Sequence, residues 1–219
     1  MVSTARRRAA MTGSILCGVV AVLAASPARA AAPACATPDQ ITAVRKEASE
    51  FPGDPIAIVS RFVEVPEFAA ATGLWPQMQV SARIDDKQAL ELWKSIEGWG
   101  ADTMVRLVVS PSSQHAFTLY STMPKAQPEP DPGYLDVYAD GDRGIHSHIQ
   151  LSKIAAITAT DIPTDKPGYR TRGINFFDRD GNNVFGVYAS IKYYEPDPAA
   201  LAGFDRTRAL IAAMPRACA

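Results

Sequence analysis

Between Thr103 and Ser190 the chain breaks into seven short runs rich in β-branched and aromatic residues: "TMVRLVVS", "HAFTLYST", "YLDVYA", "GIHSHIQL", "KIAAITATDI", "TRGINFFD" and "NVFGVYAS". Turn-forming residues separate them, the pattern of strands that pair with their sequence neighbours. "DRDGNN" (178–183) is a strong hairpin turn. The stretch "PKAQPEPDPG" (124–133) holds too much proline for a helix or an inner strand, so it is expected as an extended loop leading into Tyr134.

Helical signals flank this β region. "TPDQITAVRKEASEF" offers Thr37 as N-cap, Pro38 at the first helical position and Gln40 to complete a capping box. "GDPIAIVSRF" repeats the logic with Asp54 and Pro55, and a further short helix is expected after Pro66, ending at Gly73. "QMQVSARI" alternates like a strand. "DDKQALELWKSIEGWG" reads as an amphipathic helix capped by Asp85, with Leu90, Trp93 and Ile96 on one face. A last helix, capped by Asp197, is expected to bury Leu201, Phe204, Leu210 and Ile211. The fold class is therefore α+β: an antiparallel sheet meander with N-terminal helices and a C-terminal helix.

Residues 1–30 read as a signal peptide. Arg6, Arg7 and Arg8 precede an apolar run from Ile15 to Ala25, and Ala28 and Ala30 mark a small-residue cleavage site. The expected location is periplasmic or secreted, with no membrane span once the leader is removed. Removing it takes away four arginines and no acid, so 22 basic and 23 acidic residues become 18 and 23, a net charge near −5. That balance argues against nucleic acid as a partner. Only Cys35 and Cys218 remain, and an exported chain with one cysteine near each end points to a disulfide.

No Gly-rich phosphate loop, nucleophile elbow, C-x-x-C or H-E-x-x-H occurs. What stands out is "GYLDVYADGDRGIHSHIQL" (133–151), which carries two of the three histidines. On a strand, His146 and His148 project to one face. They are then either a transition-metal grip, with Asp140 or Asp142 as third ligand, or polar side chains on an open sheet face. His115 is given no role.

"MPKAQPEPDPGYLDVYADGDRGIHSHIQLSKIAAITATDIP", followed by "INFFDRDGNNVFGVYA", resembles the HutX/ChuX family of bacterial haem carriers, relatives of the HemS-type proteins. The shared pattern is Pro124-Lys125, Gly133-Tyr134, His146 and His148 with Ile149, Phe176-Phe177, the Gly181 turn, and Phe185 ahead of Tyr188. "SIEGWGADTMVRLVV" (95–109) is similar to the family's entry from helix to strand. The resemblance implies a haem-binding sheet flanked by helices, usually homodimeric, here over residues 53–216 after an N-terminal helix (31–52). It implies ferric haem as cofactor, Tyr134 as iron ligand, and His146 or His148 as second ligand or as hydrogen-bond partner to the first. Many members carry a second tyrosine after the first, where this chain has Leu135. Members are typically cytosolic, which sets this exported chain apart, and the family's basic segment after the last strand is here "ASIKYYEPD".

Haem requires apolar walls, an axial ligand and cations for its propionates. Phe176, Phe177, Phe185, Val187 and Tyr188 are the candidate walls. Lys125, Arg143, Arg170 and Arg172 are the candidate cations, and Met78 and Met123 candidate sixth ligands. The expected function is an exported haem carrier, not an enzyme, handing haem to an envelope receptor or transporter. The alternatives are a haem-degrading enzyme of the same fold, a divalent-metal binder, or a non-catalytic interaction module.

Overall fold

The computed structural model describes residues 32–140 and 143–218; the expected leader lies outside the described residues. Helix α1 (Pro38–Glu50) starts as its sequence dictates: Thr37 Oγ1 accepts the Gln40 N–H and Gln40 Oε1 accepts the Thr37 N–H. The same box opens α4 (Asp86–Glu97), with Asp85 and Gln88 exchanging bonds of 3.0 Å. Helix α2 (Ile56–Phe62) departs from expectation. Pro55 is its N-cap, and Asp54 turns away to pair with Lys192. Helix α3 (Glu67–Gly73) ends at its glycine, as expected, with Leu74 as C-cap.

Among the described residues nine strands form two sheets rather than one meander. Strands β1 (Gln79–Arg83), β2 (Met104–Ser112), β3 (His115–Thr122), β7 (Ile154–Pro163), β8 (Arg170–Asp178) and β9 (Asn183–Ser190) form an antiparallel sheet in the order β1-β7-β8-β9-β2-β3. Strands β4 (Lys125–Ala126), β5 (Tyr134–Tyr138) and β6 (His146–Gln150) form a second, smaller one. The proline-rich stretch contributes β4 as an edge strand only, where a missing N–H is tolerated.

Helices cover both faces of the large sheet. On one, α4 and the C-terminal helix α5 (Pro198–Ala212) pack Trp93 against Phe176 and Phe185, with Phe204 and Ile211 beside them. Helix α5 can cross Trp99 because residue 203 is glycine; a Cβ there would lie 2.2 Å from the indole. Leu210, expected inside, is half exposed, and Gly203 and Thr207 face inward instead. Leu90 of α4 is likewise only partly buried, while Ala89 and Leu92 join Trp93 and Ile96 in the core. On the other face α1–α3 bury Phe68 edge-on to Phe177, ring centroids 5.2 Å apart. The N-terminal helix is thus packed into the same body as the rest. Cys35 and Cys218 form a disulfide, Cα–Cα 6.0 Å, across 183 positions of sequence. No helix among the described residues is long and apolar enough to cross a membrane.

Candidate functional site

The small sheet has two chemically distinct faces. Leu135, Val137 and Ile149 point inward and join the core cluster of Trp93 and Phe176. The alternate residues point out. Register places Tyr134 opposite Gln150, Asp136 opposite His148, Tyr138 opposite His146, and Lys125 opposite Tyr138. Directly paired residues share a face. Lys125, Tyr134, Asp136, Tyr138, His146 and His148 therefore form one polar platform.

Tyr134 is delivered by a tight turn. Its N–H donates to Asp131 O (3.0 Å), Pro132 supplies the first corner, and Gly133 takes the second with φ +82°, as a type II turn requires. The Tyr134 phenol is half-buried and its hydroxyl has no partner among the described residues.

On the platform His148 is hydrogen-bonded to Asp136. The Asp136 carboxylate is buried, 7% exposed, while the His148 side chain is 52% exposed. His148 Nδ1 donates to Asp136 Oδ1, and Asp136 Oδ2 accepts the Asp131 N–H at 3.2 Å. A carboxylate on Nδ1 fixes the tautomer and leaves Nε2 as a lone-pair donor, the arrangement found behind metal-bound histidines. His146 stacks on the Tyr138 ring at 3.9 Å and tilts against His148 at 4.4 Å.

Other expected residues fall elsewhere. Phe177 is fully buried under α1–α3, on the far side of the large sheet. Phe176, Phe185 and Val187 lie in the core under α4. Tyr188 is fully buried with its hydroxyl on Asn175 Oδ1 (2.9 Å), and burial pushes its phenol well above the usual range. None of these aromatics walls Tyr134. Arg143 is exposed in the β5–β6 turn, while Arg170 and Arg172 both bond Asp161. Met123 is core, on the cluster that the inner face of the small sheet joins. Asp140 accepts from the Thr122 hydroxyl (2.8 Å) and backbone, and Asp142 lies outside the described residues. Asp136 and Asp131, which sequence reasoning missed, take the place expected of Asp140. Their donor atoms and that of His148 lie within 4.8 Å of one another.

The platform is open. A cleft of about 870 Å³ lies instead between the α2–α3 link and the ends of the β2–β3 and β8–β9 hairpins, lined among others by Arg61, Glu64, Glu67, Ser110 and Asn183. Glu64 there holds φ +55° just past the end of α2.

An α+β fold, with helices on both faces of a large antiparallel sheet and a smaller sheet whose outer face is polar, is the architecture to compare with known proteins. The family described as Haem utilisation ChuX/HutX matches residues 82–206, more than half of the chain. The chain belongs to that family. Among curated proteins no match was found. A solved protein from Agrobacterium tumefaciens superposes with TM-score 0.59 at 20% identity, covering 79% of this chain and 92% of its own. The haem-binding protein ChuX gives 0.55 at 14%, covering 77% and 98%. ChuS, an E. coli haem oxygenase, gives 0.53 at 12%, covering 81% of this chain and half of its own. At these identities the likeness concerns the fold.

Proposed function

We propose that this protein is an exported haem carrier that holds ferric haem on the outer face of the small sheet. Membership of a haem utilisation family supports haem as the cargo. The observation that carries the site is the buried Asp136 carboxylate behind His148, which orients an exposed imidazole for iron.

The donors fit haem iron: an imidazole backed by a carboxylate, a phenol with no other partner among the described residues, and Lys125 beside them for a propionate. Arg143 stands in the adjoining turn. Tyr134 and His148 project from the same face of adjacent strands. They therefore cannot bind opposite sides of one porphyrin plane within a protomer, and only one of them ligates. His148 is the better supported by its contacts, and Tyr134 by the resemblance. The open platform covers one face of the macrocycle, so a second copy of the chain closes the other, in a homodimer. Delivery is to an envelope haem receptor or transporter.

Hemin titration tests this reading. A saturable Soret shift, altered in His148→Ala or in Tyr134→Phe, identifies the ligand; an unchanged hemin spectrum rejects the carrier. Bound haem that survives reductant and oxygen separates carrier from haem-degrading enzyme. The grouping of Asp131, Asp136 and His148 supports a second reading, a divalent-metal site. Zinc retained through purification and lost in Asp136→Asn, with no hemin response, would select it.

A further inference from the structure

On the face of the large sheet opposite the one that carries the small sheet, Arg106 is held differently from Arg61, Arg170 and Arg172. Its Cζ lies 3.8 Å from the Tyr120 ring centroid and 4.5 Å from that of Tyr194. Tyr120 is its register partner on β3, and Tyr194 comes from the segment after β9. Arg170 and Arg172 are tied to Asp161, and Arg61 to Glu67 and carbonyl oxygens. The Arg106 guanidinium has no hydrogen-bond or ion-pair partner among the described residues; it has only the two rings.

Rings this close attract a guanidinium through its positive charge and take up none of its N–H donors by hydrogen bonding. Its N–H edge is a planar fork matched to a carboxylate. Arg106, Tyr120 and Tyr194 line a cleft of about 380 Å³, with Met104, Pro196 and Pro198 as apolar wall and Ser190 as a polar one. Two carboxylates share the cleft, and both are already engaged: Glu195 accepts the Tyr169 hydroxyl (2.9 Å) and Asp197 caps α5 (2.8 Å). Neither pairs with Arg106. Their charge disfavours a dianion more than a monoanion.

We propose that this cleft is a second binding site, selective for a monocarboxylate on an apolar or aromatic body, with Arg106 as the anion clamp and Tyr120 and Tyr194 as its braces. The carboxylate belongs either to a free small acid or to a propionate of a second haem, distinct from the one on the platform. This site faces away from Tyr134 and His148, so it stands or falls separately from the haem platform.

The test is a two-dimensional NMR titration of the ¹⁵N-labelled protein with sodium benzoate, benzamide and inorganic phosphate. Benzoate is expected to give saturable shifts at Met104, Ser190 and Tyr194, with benzamide and phosphate about tenfold weaker or silent. Arg106→Gln is expected to abolish the benzoate shifts and Tyr194→Ala to weaken them, while His148→Ala leaves them unchanged. Displacement of benzoate by hemin, but not by its dimethyl ester, assigns the carboxylate to a propionate; benzoate binding undisturbed by hemin assigns it to a separate acid. Equal shifts from benzamide, tighter binding of phosphate, unchanged benzoate binding in Arg106→Gln, or no saturable shift with benzoate overturns the proposal. Tyr194→Ala changes an exposed side chain, so a folding defect in the arginine variant does not shield the idea.

Discussion

Glu97 and Ala126 are joined by a single hydrogen bond that couples the last turn of α4 to the edge of the small sheet. The same Glu97 Oε1 also accepts the Trp93 indole N–H, at 2.8 Å. One oxygen thus satisfies two half-buried donors. Glu97→Ala should cost about 1–3 kcal/mol, because both N–H groups lose their partner, and should loosen β4 and Lys125 with it. Glu97→Gln keeps an acceptor and should cost less. Urea unfolding of the two variants, with hydrogen exchange at Ala126, checks this.

The Asp136–His148 pair makes a sharper prediction about ligand binding. Asp136→Asn preserves shape but withdraws the carboxylate that orients the imidazole. Hemin affinity should fall about 10–100-fold, the usual effect of removing a partner behind a metal ligand. If Tyr134 alone holds the iron, the Soret titration of this variant stays close to that of the unmodified protein.

Glu64 occupies the position after the C-cap of α2, where the Val65 N–H returns to Ser60 O (3.0 Å) in the closing motif of the helix. Its φ of +55° suits glycine. Glu64→Gly should raise stability by about 0.5–1 kcal/mol, partly offset by added freedom in the unfolded chain. A rise of roughly 2–4 °C in Tm per kcal/mol is the readout in calorimetry.

Tyr188 gives a pH signature. Burial raises its folded pKa above the unfolded value of about 10. Its contribution is therefore complete below about pH 10 and is lost as pH climbs from there toward the folded value. Tyr188→Phe, which leaves Asn175 Oδ1 without its donor, should be less stable at neutral pH yet lose stability less steeply above about pH 10. Denaturant midpoints measured from pH 7 to 11 follow both effects.

Locally encoded features were legible in the sequence. Both capping boxes, the helix stop at Gly73, the Gly181 turn and the shared face of His146 and His148 depend on residues a few positions apart, and they form as the spacing dictates. The disulfide also followed from composition. What escaped depends on pairing between distant segments. Splitting the strands into two sheets is decided by which strand Lys125–Ala126 finds, and nothing local to those residues names β5. The separation of Phe176 from Phe177 adds a register shift to strand alternation. Asp136 sat in plain view between two tyrosines in "YLDVY", on the same alternation as Tyr134. Its value as the partner of His148 appears only once β5 and β6 are in register.

Because Cys35 and Cys218 are covalently joined, residues 35–218 form, in graph terms, a closed loop. A protease that nicks one exposed connection, such as the Pro-rich segment before Tyr134, opens that loop without producing two fragments. The cut protein should migrate as a single species until a reducing agent is added, and its strands should stay within reach of one another for re-annealing.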